Sequence, residues 1–338
     1  MTTNRRAGSG DRQDHYAEIT NRVIALLEAG TPPWRRPWDP DKAGGPAMPC
    51  NAVTGARYRG INVVTLGMSS LAFTSGDPRW ATYKQAADRG WQVQKGARGT
   101  TAFFYKRIEL RDSQGGRGED FTPGGGEAHD QHAAKHIPLL RSFSLFHASQ
   151  IDGIPAFTPP TIEEAPWRAP DAVDTIIGNS GAIIRIGGGR AFYSPGTDHI
   201  QMPPPHAFPS ATSWSSVIIH EAAHWSGAPH RLDRDLKNAF GSHDYAREEL
   251  RAEIAQSMVC AELGLACDFQ NATAYVADWL TKLKSDRKEI FRAAANAQRI
   301  ADYLLAFHPA YPAQERSNNS ANTAVDADGS ACALAEAA

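Results

Sequence analysis

The segment VIIHEAAHWSG, residues 217–227, constrains this chain more than any other. It places His220 and His224 four residues apart, and two such residues on an α-helix lie on the same face, one turn from each other. Both imidazoles can then reach one metal ion, so the segment predicts a helix with two metal ligands. Glu221 lies about 100° around that helix, where a carboxylate can accept a proton from water rather than bind the metal.

A catalytic zinc ion takes three protein ligands and leaves one position for water, so a third ligand is needed. His230 would complete the spacing HExxHxxGxxH of metzincins, although Met258 falls in a helix-like segment rather than in the methionine turn of that class. Glu249 lies in REELRAEIA, residues 247–255, a segment typical of the acidic helix of glutamate zincins. We expect Glu249 to be the third ligand and keep His230 as the alternative.

Two further side chains share the helical face of Glu249. Glu253, one turn later, is predicted to accept a hydrogen bond from a ligand histidine and so fix its tautomer. Tyr245, one turn earlier, is predicted to stabilise an oxyanion. With Glu221 as the base, such a site is chemically capable of hydrolysis.

Charge is distributed unevenly along the 338 residues. Residues 1–154 contain 20 Lys and Arg against 15 Asp and Glu, a net charge of +5. The rest of the chain contains 15 basic and 22 acidic residues, a net charge of −7. A basic front half suggests contact with a polyanion. Together with the Pro-rich run GIPAFTPPTIEEAPWRAP, the opposite charges suggest two separately folded units whose docking is weakened by salt.

Cysteine usage and hydropathy indicate the compartment. The four cysteines show neither close pairing nor the spacing of a cysteine metal site, so no disulfide framework is predicted. No stretch approaches the roughly 18 apolar residues that a membrane helix requires, and the N-terminus lacks the apolar core of a signal peptide. We expect a soluble, reduced, cytoplasmic protein without membrane contact.

The coarse pattern of helices and strands predicts an α+β fold with two domains. HYAEITNRVIALLEAG is typical of a helix, GWQVQKGARGTTAFFYKRIEL of a β-hairpin and RSFSLFHASQI of a returning strand. The predicted organisation is a disordered lead (1–13), a front domain (14–154) with a flexible Gly-rich insertion (113–135), a linker (155–170), a back domain (171–311) and a disordered tail (312–338).

Basic residues alternate with aromatic residues along the front half. Single-stranded DNA is held by such a mixture, because cations neutralise phosphates while exposed rings stack on bases. The candidate DNA-binding residues are Trp34, Arg35, Arg36, Trp38, Arg57, Tyr58, Arg59, Lys84, Lys95 and Arg98.

These stretches together resemble the ArdC antirestriction family of conjugative plasmids, whose front domain also begins TraC-type primases. The resemblance covers nearly everything from about residue 14 to 306 apart from the Gly-rich insertion. It is carried by ITNRVIALLEAGTPPWRRPWD, NAVTGARYRGINVVTLG, PRWATYKQAADRGWQVQKGARGT, LLRSFSLFHASQIDGIP, IIHEAAHWSGAPHRLDRDL, YAREELRAEIAQSMVCAELG and DRKEIFRAAANAQRIADYLL.

The resemblance implies a front domain that binds single-stranded DNA, a zincin-like metallopeptidase back domain, and protection of incoming plasmid DNA during conjugation. Zn²⁺ is the expected metal, with another first-row divalent ion as the alternative. Single-stranded DNA is the expected partner, with double-stranded DNA and a host restriction subunit as further candidates. The competing hypothesis is a zinc-dependent endopeptidase whose basic domain recruits its substrate or DNA.

Overall fold

The computed structural model describes residues 14–34, 48–70, 72–73, 76–109, 136–158, 169–236, 243–267 and 272–311. In the front region, the described residues up to 158, these form helices α1 (His15–Glu28), α2 (Ile61–Ser70) and α3 (Tyr83–Asp88). The strands of this region are β1 (Cys50–Asn51), β2 (Arg79–Ala81), β3 (Gln92–Val93), β4 (Thr100–Glu109), β5 (His136–His147) and β6 (Ile151–Asp152). The predicted lead, insertion and tail, and most of the predicted linker, lie outside the described residues.

Most of these front strands form a sheet in the order β1-β2-β5-β4. Strand β5 returns along β4 in antiparallel register from Thr100↔Leu145 to Glu109↔His136, which confirms the predicted returning strand. The hairpin predicted around KGARG is wrong, because β3 pairs with β6 rather than with β4. The turn after β3 therefore connects two separate sheets.

The back region, the described residues from 169 onward, contains helices α4 (Ala169–Ser180), α5 (Ala211–Trp225), α6 (His243–Leu263), α7 (Ala272–Ser285) and α8 (Glu289–Leu305). Its sheet comprises β7 (Ile183–Ile186), β8 (Phe192–Ser194) and β9 (His199–Met202) in the order β7-β9-β8. Helix α5 packs against α6 on one side and against β8 and β9 on the other. The HEAAH segment is therefore held between a helix and a sheet.

The two regions share one apolar core. Ile19, Val23 and Leu27 of α1 belong to the same buried cluster as Trp279 of α7 and Ile290 of α8. Helix α1 packs on α7, and α2 packs on α8. The expectation of separately folded units whose docking is weakened by salt is therefore wrong, because burial of apolar surface, which salt does not screen, joins them.

Polar contacts surround this shared core. Arg57 lies 3.2 Å from a carboxylate oxygen of Glu262, and Arg59 forms an ion pair with Asp302. Lys284 lies 2.7 Å from Glu28 in the opposite sense, with the acid on the front region. Some of the charges that distinguish the two halves of the sequence thus form ion pairs with each other within the molecule. Among the described residues, none of the helices is long and apolar enough to cross a membrane.

Candidate metal centre

Helix α5 presents the two histidines on one face. Its N-cap Ser210 accepts a hydrogen bond from the backbone N–H of Ser213, and the helix continues to Trp225. Ile218 and Ile219 are fully buried and fix the rotation of the helix about its axis. As a result, Nε2 of His220 and Nε2 of His224 lie 3.2 Å apart, as the four-residue spacing predicts.

Helix α6 supplies the third side chain. Glu249 is buried, with one carboxylate oxygen 3.4 Å from Nε2 of His220 and the other 3.5 Å from Nε2 of His224. One ligand atom from each of the three residues lies within 4.8 Å of the others. Two imidazole nitrogens and one carboxylate oxygen are the donor set of a divalent metal site, and three donors leave a position for water. The residues therefore fit a catalytic rather than a closed structural ion.

His230 lies outside this group. Its side chain is 65% exposed and its Nε2 is 3.4 Å from Asp198. The same nitrogen accepts a hydrogen bond from Arg231 at 2.7 Å. The alternative of His230 as third ligand is therefore not supported by this geometry, which brings Glu249 to the histidines instead. Met258 lies within α6, as its sequence context predicted.

The carboxylate beside Nδ1 of His224 belongs to Glu248, which the sequence analysis did not identify. The distance is 3.5 Å, and Glu248 in turn accepts a 2.7 Å hydrogen bond from Arg234. Glu253, to which we assigned this role, lines the same cleft and accepts a 3.0 Å hydrogen bond from Nε1 of Trp34. Glu248 thus occupies the orienting position for His224, and Glu253 connects the site to the front region.

Glu221 and Tyr245 both line the cleft at the histidines. Burial raises the pKa of Glu221, which also accepts a hydrogen bond from the backbone N–H of Tyr193 in β8. Burial, the charge of Glu249 and hydrogen bonds to Glu249 and Tyr275 keep the pKa of Tyr245 far above its usual value. Tyr245 is therefore a neutral donor, and Glu221 has a pKa shifted toward the range in which a carboxylate can act as a base near neutrality.

The charges of the three converging side chains are coupled to one another. Burial alone would raise the pKa of Glu249, but the two imidazoles hold it well below its usual range. Burial alone would lower the pKa of His220 and His224, but the neighbouring carboxylates, Glu249 foremost among them, together outweigh burial and both rise. An ionised carboxylate is thus fixed where it can compensate positive charge.

The site opens into a cleft of about 590 Å³. Its walls include Phe192 and Tyr193 of β8, Tyr275 of α7, and Arg190. Phe192 is 44% exposed, so part of this wall is an accessible aromatic surface. The cleft thus combines the metal ligands with an accessible aromatic surface.

The candidate DNA-binding residues separate into three groups. Trp34 is buried and packs edge-on against Trp279, and Tyr58 is buried beside Asn51, so neither ring is open to a base. Arg57 and Arg59 pair with acids of the back region. Three residues stay exposed, namely Lys84, Lys95 and Arg98. Three others lie outside the described residues, namely Arg35, Arg36 and Trp38.

Two protein families match successive parts of the chain. The N-terminal domain of anti-restriction factor ArdC matches residues 13–146, and the zincin-like metallopeptidase family matches residues 171–296. The metal-free crystal structure of the antirestriction ArdC protein from plasmid R388 is similar with a TM-score of 0.68 and 39% identity. That similarity covers 87% of this chain and 97% of the other. This chain belongs to the ArdC family. The predicted resemblance, and the fold class it implied, are thereby confirmed.

Other relatives also align with most of this chain, and two of them are much longer proteins. The Mn(II)-bound structure of R388 ArdC is also similar, at 37% identity and a TM-score of 0.68. A DNA primase TraC of Escherichia coli is 42% identical over 300 residues, and a second is 40% identical over 297. This chain spans only 27% and 20% of their lengths. The uncharacterised protein y4eC of Sinorhizobium fredii is 36% identical over 295 residues, 92% of its length.

Proposed function

We propose that this ArdC family member binds single-stranded DNA and protects incoming plasmid DNA from restriction during conjugation. The observation that carries the proposal is the similarity to the antirestriction ArdC protein of R388 over 97% of that chain, since it includes both the front region and the metal centre. The TraC relatives, which are DNA primases, support contact with DNA. Double-stranded DNA is a second candidate ligand.

We further propose that His220, His224 and Glu249 hold Zn²⁺, with Mn²⁺ as the alternative because the R388 relative has been solved with Mn(II). Such an ion, when bound, supplies Lewis acidity and makes water a stronger acid near neutral pH. In this proposal Glu221 holds a proton at its carboxylate, and Tyr245 donates a hydrogen bond to developing negative charge. Glu248 keeps the ring of His224 in place.

The cleft supports a second candidate function, that of a zinc-dependent endopeptidase. An accessible aromatic wall next to Glu221 is suited to an extended peptide, and a host restriction subunit would be the corresponding substrate. The two functions differ in what they require. Protection by covering DNA needs no hydrolysis, whereas protection by cleavage needs Glu221. We favour covering, because no feature of the cleft specifies a protein substrate.

Metal content tests the centre itself. His224→Ala and Glu249→Ala should abolish stoichiometric metal in purified protein, measured by elemental analysis, because two donors hold a divalent ion weakly. Glu221→Gln should retain the metal, and His230→Ala is the matched control and should retain it too. Loss of metal in His230→Ala together with full metal in Glu249→Ala would contradict our ligand assignment.

Conjugation into a restricting host tests the function. Wild type and a folded, metal-loaded Glu221→Gln variant should protect the incoming plasmid equally if protection occurs by covering DNA. Complete loss of protection in that variant would contradict covering and support cleavage of a restriction subunit. A wild-type chain that protects no plasmid in a restricting host would contradict the proposed antirestriction function altogether.

A further inference from the structure

An exposed tyrosine that was not among the predicted DNA contacts lies near two that were, Lys95 and Arg98. Tyr83, the first residue of α3, is 57% exposed. Among the front-region residues whose side-chain exposure is described, Tyr83 is the one exposed large apolar residue. Its ring is edge-on to that of Phe146 in β5, with 6.5 Å between ring centroids. A large ring that packs on a neighbour but keeps more than half of its surface in solvent can stack on a planar ligand.

Tyr83 and Phe146 border a shallow depression of about 450 Å³. The remaining lining residues come from β3, from the turn that follows it, and from β6, and they are Gln92, Val93, Gln94, Lys95, Ala97 and Asp152. Gln94 donates a 2.8 Å hydrogen bond to Asp152, so the acid of this depression is already engaged. What remains is an aromatic pair beside amides and a cation.

The cation, Lys95, lies in the turn after β3. The carbonyl of Gln94 accepts a 3.0 Å hydrogen bond from the N–H of Ala97, which closes a turn with Lys95 and Gly96 at its centre. Gly96 has φ +83, a conformation that other residues rarely adopt. The side chains of Lys95 and Arg98 are both exposed and have no ion pair or hydrogen bond with the described residues. Unpaired cations on a fixed turn are suited to phosphate contact.

We propose that this depression is a nucleotide-binding site for single-stranded DNA, in which a base stacks on Tyr83 beside Phe146 while Lys95 and Arg98 contact phosphates. The inference rests on the proposed DNA binding and gives it a location. A single strand fits better than a duplex, because a base must leave its stack to lie on a protein ring. It also replaces Trp34, Arg57 and Arg59 as contacts, since those side chains are engaged within the molecule.

Titration of the full chain with a fluorescent oligothymidylate of about 16 nucleotides tests the site. Tyr83→Ala should weaken binding at least about fivefold, because it removes the stacking ring, and leave the salt dependence unchanged. Tyr83→Phe should bind as wild type does, because it retains the ring. Ile186→Ala, an equally exposed apolar residue of the back region, is the matched control and should have no effect.

The two cations are tested by salt dependence. Lys95→Gln combined with Arg98→Gln should reduce the slope of log affinity against log salt by about 0.7 for each phosphate that the variant no longer neutralises. Arg185→Gln is the control, since Arg185 is exposed on β7 without a partner among the described residues. This double variant alters only exposed side chains of a turn, so it remains informative even if Tyr83→Ala fails to fold.

The outcomes separate the inference from the function it rests on. Wild type that binds DNA, with Tyr83→Ala and the double variant folded and binding equally well, would overturn the site and leave the proposed function standing. Wild type that binds no single strand at any salt concentration would overturn both. Duplex bound as tightly as the single strand, and weakened equally by Tyr83→Ala, would overturn the stacking of an unpaired base.

Discussion

Gly227, which follows the HEAAH segment, has almost no space for a side chain in place of its hydrogen atom. A Cβ placed on Gly227 would lie 2.9 Å from Nη2 of Arg234 and 3.0 Å from Cδ1 of Leu236. Arg234 also donates to the carbonyl of Ala223 and to Glu248, and its side chain is only 6% exposed. The glycine that follows HEAAH therefore lets the arginine approach α5 closely enough to hold Glu248.

Gly227→Ala should lower metal affinity by about 10- to 100-fold, the usual range when a group that orients a ligand is displaced. The added methyl group would push Arg234 away from Glu248 and so loosen the ring of His224. Competition with a chromogenic chelator measures the affinity. Gly178→Ala in α4 is the control, because among the described residues no group other than its neighbours in the same helix lies within 4 Å of its Cβ position. Equal affinity in both variants would show that the Arg234–Glu248 pair does not orient His224.

The site shows what a local sequence pattern can and cannot predict. The spacing of His220 and His224 determines their relative position within one helix, so it could be derived from helix geometry alone. Glu248 and Glu249 are adjacent, and which of them faces Nδ1 of His224 depends on the rotation of α6 against α5. That rotation is set by packing between distant segments, so the role predicted for Glu253 belongs to a different carboxylate.

Among the helices, α6 joins the metal centre to the front region. Glu249 faces the histidines, and one turn later the buried Glu253 accepts a hydrogen bond from Trp34. Ser257, a further turn along, donates a 2.7 Å hydrogen bond to the carbonyl of Trp34. The tryptophan that the sequence suggested as a DNA contact thus anchors the front region on the metal-bearing helix.

Trp34→Phe should lower the free energy of unfolding by about 1–3 kcal/mol, because it removes a donor from a buried carboxylate while keeping an aromatic ring. Urea denaturation measures the change. Trp214→Phe is a matched control, since Nε1 of Trp214 makes only a 3.4 Å contact with the neutral carbonyl of Pro203, and should cost less. The reverse order of the two effects would contradict the anchoring role of Trp34.

The existence of an element was easier to predict from sequence than its pairing. The apolar periodicity of α1 and the His220–His224 spacing of α5 predicted both helices correctly. Strand β3, in contrast, is only two residues long and pairs with β6, in which the partner of Gln92 is the distant Asp152. A short strand has too little pattern to specify its partner, so the prediction of pairing with the nearer strand β4 was wrong.

At the scale of the whole molecule, the shared core predicts cooperative unfolding. Leu27→Ala, in the front region, should lower the midpoint of a single thermal transition, with a destabilisation of about 2–5 kcal/mol typical of a buried leucine. Fluorescence and circular dichroism should report the same midpoint. Arg59→Gln, which removes an exposed ion pair, is the control and should cost less than about 1 kcal/mol.

Thermal unfolding at high salt concentration is the measurement that can contradict the shared core. At roughly 1 M salt the Debye length is about 3 Å, so docking by charge would fail and docking by apolar burial would persist. A single transition that splits into two in high salt, or a Leu27→Ala variant in which only part of the signal shifts, would contradict the shared core.

The shared core also limits how such a gene can be rearranged. Recombination between the two halves would yield two polypeptides, each with the buried residues of α1 or of α7 and α8 turned toward water. Inheritance of the pair as one cassette avoids that exposure. The TraC matches agree with this expectation, since 88% of this chain aligns with each primase and both halves are included. A fused cassette of this kind can be joined to a new enzyme at its ends without opening that core.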